Sequence, residues 1–298
     1  MVTKTSSRSA AKSATQAGTK PKAASGSRPR PIAATALITG ASSGIGEALA
    51  RCFAASGHDL ILVARSADKL KALADELAGR HGVKAQVAAA DLTQTHAVEN
   101  LAAMLSRKGV EINVLVNCAG VLEQGAFAGM DPARHQQMID LNITALTAML
   151  AAFVPGMVET VAARGGKGRI LNVASIAAFQ PIPMLATYAA SKAYVLSLSE
   201  SLSEELRDSG VTVTALCPGI TATSMVAKAV GANGKLDKIP AFMIANVNDV
   251  AQAGIDALMR GDAICVPGAI NQIGMIASRS APKWMVRRIG GLFGRNAL

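Results

Sequence analysis

The sequence predicts an α/β protein: a single doubly wound domain of about seven parallel strands, with helices on both faces of the sheet. Two patterns predict this fold. Short, continuously apolar runs alternate with longer helix-like stretches, which is typical of buried parallel strands joined by helical crossovers. A glycine-rich segment at 39–46 then joins the first apolar run to the first helix-like stretch. We see no internal repeat and no second domain in the pattern.

Each strand is predicted from an apolar run of three to six residues. The seven runs are Ala36–Ile38, Leu60–Val63, Val87–Ala90, Val114–Val116, Ile170–Val173, Val211–Leu216 and Ala263–Val266. Helices are predicted between the first strands, at 45–56, 67–80 and 95–107.

The basic residues are concentrated near the two ends of the chain. Residues 1–31 carry seven Lys or Arg and residues 279–298 carry five, and neither segment has an acid. The formal charge of +10 therefore belongs to these segments, and nothing between them resembles a nucleic-acid-binding face. We expect a disordered basic tail at 1–31, a folded domain at 32–268 and a basic extension at 269–298.

The cysteine pattern favours a reducing compartment. Cys52, Cys118, Cys217 and Cys265 are scattered, with no C-x-x-C motif and no paired histidine. Cys118 and Cys217 end apolar runs, where buried reduced thiols are expected. Because no apolar run reaches 18 residues and none follows the basic tail, we expect no spanning helix and no secretion signal. A cytoplasmic location follows, with an organelle-targeting role of the tail as the open alternative.

A candidate proton-transfer group is formed by Tyr188, Lys192 and Ser175. Lys192 follows Tyr188 by four residues, so the two side chains share one face of a helix. A neighbouring ammonium favours the phenolate, which predicts a lowered pKa for Tyr188. A phenol tuned in this way can donate a proton to a carbonyl oxygen or take one from an alcohol.

The glycine-rich segment is a candidate phosphate-binding turn. Its expected cofactor contacts are Gly40, Ser42, Ser43, Gly44, Ile45 and Gly46. Glycines allow the backbone to approach a pyrophosphate, and the N-terminus of the following helix supplies free amides. The strand–turn–helix context makes this motif much stronger than an isolated glycine cluster.

The residues after the second and third strands bear on the choice of cofactor. Arg65 stands where an acid would bind the 2′-hydroxyl of NAD, and Lys69 follows one turn later. A guanidinium at this place suits a 2′-phosphate, which favours NADP(H), although an ordinary exposed arginine is the alternative. Asp91 and Leu92 are predicted at the adenine, but Asp91 can equally cap the next helix.

In combination, these motifs resemble the short-chain dehydrogenase/reductase family over roughly residues 34–268. Asn117-Cys118-Ala119-Gly120 is similar to its N-N-A-G motif, with a cysteine in place of the second asparagine. The resemblance implies a Rossmann fold and further cofactor contacts at Asn117, Ala119, Gly120, Pro218, Gly219, Ile220 and Thr223. Thr223, at the end of a P-G-x-x-x-T motif, would hold the nicotinamide carboxamide.

The resemblance also implies roles for four catalytic residues. Tyr188 would be the acid/base, and Ser175 would hydrogen-bond the reacting oxygen. Lys192 would lower the tyrosine pKa and contact the cofactor's nicotinamide ribose. Asn142 would hold a water in the proton relay.

The substrate is expected to be a small hydrophobic carbonyl compound or alcohol. Two apolar segments indicate this, 176–185 and the stretch after Thr223, although ordinary core packing is the alternative. The second stretch contains Met225, Val226, Ile239, Phe242, Met243 and Ile244. Three functions stay open: reduction of a hydrophobic ketone or aldehyde, a hydroxy-acid dehydrogenase or 3-oxoacyl thioester reductase, and a non-catalytic NADP-binding regulator.

The chain is also expected to assemble with copies of itself. In the resembling family the helix carrying Tyr188 and a helix near 135–160 pair across a two-fold axis, which implies a homodimer or homotetramer.

Residues 282–295 form a basic amphipathic pattern that suits either an anionic membrane surface or packing on the body. Three glycines weaken such a helix, and packing is the favoured interpretation.

Overall fold

Seven strands form one parallel sheet in the computed structural model, which describes residues 34–223 and 244–280. They are β1 (Thr35–Thr39), β2 (Asp59–Ala64), β3 (Ala85–Ala89), β4 (Val114–Asn117), β5 (Gly168–Val173), β6 (Val211–Leu216) and β7 (Ile264–Cys265). Their order across the sheet is β3-β2-β1-β4-β5-β6-β7, and each neighbouring pair is parallel. The predicted fold class is confirmed, and each predicted strand is present.

Helices flank the sheet on both faces. They are α1 (Gly44–Ala55), α2 (Ala67–His81), α3 (Ala97–Arg107), α4 (Pro132–Ile139), α5 (Leu146–Arg164), α6 (Ala186–Glu205), α7 (Val247–Arg260) and α8 (Ala269–Ser280). The three predicted helices are present, with ends shifted by at most two residues. The tail at 1–31, most of the stretch after Thr223 and the amphipathic pattern at 282–295 lie outside the described residues.

The alternation of side chains along the strands explains the two-layered core. In β1, Ala36 and Ile38 face α1, α2 and α7, whereas Leu37 faces the layer of α3, α5 and α6. All three side chains are fully buried, which is why the strand reads as a continuous apolar run. Edge strand β3 is the exception, because Val87 is partly exposed.

A π-helical turn, Asp140–Ala145, joins α4 to α5 in one continuous helix. Asp131 caps this helix by accepting a hydrogen bond from the Ala133 amide at 2.9 Å, and Pro132 occupies its first position. Among the described residues, Pro132–Arg164 is long and apolar enough to cross a membrane, with a mean hydropathy of 1.7 in its most apolar window. Its inner face packs on the sheet, as in a core helix, so this single segment is weak evidence of a span.

Candidate active site

A cavity of about 250 Å³ opens at the carboxyl ends of the strands, where the chain order reverses between β1 and β4. This edge of a doubly wound sheet is where nucleotides bind. The cavity is lined by most of the predicted cofactor residues: Gly40, Ser42, Ser43, Gly44, Ile45, Gly46, Arg65, Asp91, Leu92, Ala119, Gly120, Pro218, Gly219 and Thr223. Asn117 and Ile220, also predicted, do not line it.

The glycine turn is packed so closely against neighbouring backbone that a side chain on Gly40 or Gly46 would clash. Gly40 adopts φ +69°, and a Cβ on it would lie 2.9 Å from the Ala119 nitrogen. A Cβ on Gly46 would lie only 2.3 Å from the Gly40 oxygen. The buried Thr39 hydroxyl accepts hydrogen bonds from the amides of Cys118 and Ala119, at 3.0 and 3.1 Å. Thr39 therefore fastens the β4 loop beside the turn, a role that the motif alone did not reveal.

The second and third strands supply opposite charges to the same wall. Arg65 is exposed to solvent at the end of β2, and Asp91 follows β3. Burial opposes ionisation of Asp91, but hydrogen bonds from Thr93 and the charge of Arg65 outweigh it and lower its pKa. Asp91 Oδ1 accepts from the amide and hydroxyl of Thr93 at 3.1 and 2.8 Å, in a turn that precedes α3. The side chain thus closes a turn and is not a helix cap.

Asn117 and Ile220 lie outside the cavity lining, and their cofactor contacts stay predictions. Asn117 is buried in the core layer, where its Nδ2 donates to Asn172 Oδ1 at 2.9 Å. It therefore ties β4 to β5. The Ile220 carbonyl accepts from the Ala245 amide at 2.8 Å, and the neighbouring Thr221 lines the cavity in its place.

Tyr188, Lys192 and Ser175 meet at one end of the cavity. Ser175 lies two residues after the end of β5, and its hydroxyl hydrogen-bonds the Tyr188 side chain. Lys192 Nζ donates to the Val173 carbonyl at 2.8 Å and lies 5.8 Å from the centre of the Tyr188 ring. The spacing along α6 thus produces the predicted grouping.

The predicted direction of the Tyr188 pKa shift is not found. Burial raises the pKa of Tyr188 above its ordinary value of 10, and the Ser175 hydrogen bond opposes this only in part. Burial also lowers the pKa of Lys192 to about 8, although the neighbouring Cys118 and Cys217 act in the opposite direction. Desolvation is the largest cause of both shifts. Tyr188 is therefore a neutral phenol near pH 7, which is the form that donates a proton.

Asn142 lies in the π-helical turn, buried behind the cavity. Its Oδ1 accepts from the Val121 amide at 2.9 Å, and its Nδ2 donates to the Val121 carbonyl at 2.9 Å. A second Nδ2 hydrogen bond reaches Ser191 Oγ at 3.1 Å. These contacts hold the loop after β4, at a kind of turn that is frequent at functional sites. The proposed relay water of Asn142 stays a prediction.

The sequence comparison identifies the family. The family model for short chain dehydrogenases matches residues 34–233, about two thirds of the chain. The chain belongs to the short chain dehydrogenase family. Oxidoreductase UcpA from Salmonella typhimurium is 38% identical over 192 residues, which cover 64% of this chain and 70% of that protein.

Two solved structures are similar over most of the chain. A short-chain dehydrogenase from Sphingobium yanoikuyae in complex with NADPH has a TM-score of 0.72 and 34% identity, covering 83% of this chain and 93% of that chain. The bulky-bulky ketone specific alcohol dehydrogenase from Comamonas testosteroni has a TM-score of 0.68 and 32% identity, covering 83% and 92%.

As a short chain dehydrogenase, the protein is an NAD(P)-dependent oxidoreductase, and its cavity fits that cofactor. The space above Gly40 and Gly46 and the open N-terminus of α1 suit a pyrophosphate, which would lie on the backbone amides. When bound, the nicotinamide supplies or accepts the hydride. Tyr188 is placed to donate or accept the proton at the substrate oxygen, and the Ser175 hydroxyl would stabilise the charge that develops there; both roles stay predictions.

The residues that the structure describes contain no group of three or more His, Cys, Asp or Glu side chains placed to hold a metal ion. All four cysteines are free thiols, as the sequence predicted for Cys118 and Cys217. Burial raises the pKa of each of these two to about 12, which keeps the thiols protonated beside Lys192.

Proposed function

We propose that this short chain dehydrogenase uses NADPH to reduce a hydrophobic ketone or aldehyde to an alcohol. The observation that carries the cofactor choice is Arg65, an arginine at the end of β2 that lines the cavity. Its guanidinium can bind a 2′-phosphate through two charge-assisted hydrogen bonds. The bound NADPH of the Sphingobium yanoikuyae neighbour supports the same choice.

The substrate end of the cavity supports an apolar carbonyl compound. Val121, Leu122 and Leu141 line the cavity. Tyr188 itself packs in a separate hydrophobic cluster, whose other members are Met138, Ala177 and Ala189 with Val121, Leu122, Met130, Ile182 and Leu185 against them. A polar sugar would leave its hydroxyls facing this surface without partners, whereas an alkyl or aromatic group would bury favourably. The ketone specificity of the Comamonas testosteroni neighbour agrees with this.

A substrate panel tests the proposal. Acetophenone, cyclohexanone and benzaldehyde would be compared with a 3-oxoacyl thioester and, in the reverse direction, with a small hydroxy acid. NADPH consumption is followed by absorbance. We expect the highest kcat/KM for the hydrophobic ketones or the aldehyde. Preference for the thioester or the hydroxy acid would reject the proposed substrate class, and tight NADPH binding without turnover of any compound would indicate a non-catalytic regulator.

We also propose self-association through the outer faces of α5 and α6. Small residues are exposed along both helices: Ala151, Ala152, Pro155 and Gly156 on α5, and Ala190 and Ser197 on α6. Tyr194 on α6 is 38% exposed, and its hydroxyl hydrogen-bonds the Thr147 hydroxyl on α5 at 2.9 Å, which holds the two helices in one surface. Small side chains allow two helices to approach closely, so this surface suits a second copy.

A further inference from the structure

We propose that Ser191 is a positioning residue for the reaction, which fixes Asn142 against the first turn of α6 through two buried hydrogen bonds. Ser191 lies between Tyr188 and Lys192 and is 0% exposed. Its hydroxyl accepts from Asn142 Nδ2 at 3.1 Å and donates to the Tyr188 carbonyl at 2.7 Å. The motif names Tyr188 and Lys192 but assigns nothing to the serine between them.

The hydrogen bonds of Asn142 leave no spare group to replace the serine. Its Oδ1 and one Nδ2 proton pair with the backbone of Val121, and the other Nδ2 proton pairs with Ser191. Removing the Ser191 hydroxyl would therefore leave a buried N–H without its partner, at a site enclosed by protein. The side-chain amide of Asn142 would then be free to rotate, which would weaken its two hydrogen bonds to the Val121 backbone.

Such a rotation would affect the reacting groups because Asn142 and Lys192 border the same space beside Gly120. A Cβ built on Gly120 would lie 3.1 Å from Asn142 Oδ1 and 3.6 Å from Lys192 Nζ, so both atoms border the same small space. Val121 lines the cavity next to Tyr188. Loss of the Ser191 bond therefore affects the placement of Lys192 and of the substrate wall, and misplacement by a fraction of an ångström slows a proton transfer.

Ser199 provides a matched control on the same helix. It is also 0% exposed; its hydroxyl donates to the Val195 carbonyl at 2.6 Å and accepts from Asn172 Nδ2 at 3.0 Å. The chemistry is the same as at Ser191, but Ser199 lies two turns away and does not line the cavity. A purely structural role for Ser191 predicts equal consequences for the two serines.

The kinetic test compares Ser191→Ala with Ser199→Ala in the full chain, using acetophenone and saturating NADPH; this part rests on the proposed ketone reduction. We expect Ser191→Ala to lower kcat about tenfold, with KM and NADPH affinity within about twofold of wild type. Ser199→Ala should keep kcat within about twofold, while both variants lose similar thermal stability. Equal effects on kcat, or a wild-type kcat in Ser191→Ala, would overturn the proposal.

A substrate-independent test uses amide hydrogen exchange at Val121, whose N–H is bonded to Asn142 Oδ1. Ser191→Ala should exchange this hydrogen faster than wild type or Ser199→Ala, and unchanged exchange would reject the proposal. If wild type does not reduce acetophenone, the proposed substrate class fails while the exchange result still decides the role of Ser191. If Ser191→Ala does not fold, Ser191→Cys decides both tests, because it keeps the volume but bonds weakly.

Discussion

The ammonium of Lys192 lies 5.8 Å from the centre of the Tyr188 ring, and burial shifts the pKa values of the two groups in opposite directions. The pKa of the phenol is raised and that of the ammonium is lowered to about 8. Near neutral pH the pair therefore consists of a neutral phenol beside a charged lysine. This combination has a proton to give to a carbonyl oxygen and a fixed positive charge to stabilise the phenolate that remains.

Tyr188→Phe should reduce kcat by roughly 10²–10⁴-fold, because it removes the proposed proton donor and keeps the ring. NADPH binding, followed by fluorescence titration, should be retained. Tyr194→Phe is the matched control, since Tyr194 is the other tyrosine of the chain and does not line the cavity. Substantial turnover by Tyr188→Phe would exclude Tyr188 as the acid.

Lys192 should give the folded protein a distinct dependence on pH. Its pKa is about 8 in the folded protein and 10.5 ordinarily, so between these values the unfolded chain holds a proton that the folded chain lacks. The stability of wild type relative to Lys192→Met should consequently rise as pH increases from about 8 to 10.5, and stay level below pH 8. Urea unfolding of both proteins at each pH measures the difference. A relative stability that falls over this range would mean that Lys192 gains a charged partner.

Arg65→Ala tests the cofactor assignment. We expect NADPH binding to weaken by about 1.5–3 kcal/mol, the size of a charge-assisted hydrogen bond, with little change for NADH. Isothermal titration with each cofactor measures this. Arg260→Ala, which removes an exposed arginine paired with Asp262 away from the cavity, should affect neither. An equal loss of affinity for NADPH and NADH would show that Arg65 has a structural role and does not select the cofactor.

The strands could be predicted because a strand that is buried on both faces needs apolar residues at successive positions. Leu60–Val63 is apolar at each position since β2 is covered on both sides, and the same holds for the other central strands. The grouping of Tyr188 with Lys192 was predictable from helical spacing alone.

The direction and the burial of individual side chains could not be predicted from the sequence. Asn117 matches a motif, but its position in the pleat turns it into the core. The π-helical turn at Asn142 depends on a shift in backbone hydrogen bonding that no residue type marks. The raised pKa of Tyr188 follows from tertiary packing, which the pairing with Lys192 does not report.

The α5–α6 surface should mediate self-association. Wild type is expected to sediment as a dimer or tetramer at micromolar concentration, and Ala190→Glu should shift it towards monomer by placing a charge in the contact. Ala103→Glu, an exposed alanine on α3, is the control and should leave the mass unchanged. A monomeric mass for wild type across this concentration range would contradict the proposed self-association.

The C-terminal segment has two possible roles, packing on the protein and binding to an anionic membrane surface. Residues 263–298 contain no acid, and α8 exposes Ile270, Ile273 and Ile276, at 53%, 68% and 59%. We expect this segment to pack on protein, so deletion of 282–298 should lower the melting temperature and leave co-sedimentation with anionic vesicles at background.

A membrane-binding segment predicts the opposite pattern. The full chain would then bind the vesicles at 0.1 M salt and be released at 1 M, where the Debye length falls from about 10 Å to about 3 Å. Deleting 282–298 would abolish that binding at an unchanged melting temperature, whereas deleting 1–31 would weaken it only slightly, because the N-terminal charges lack an apolar face to insert. That combination would overturn the packing model, because a segment packed on the body cannot be removed without loss of buried apolar contacts.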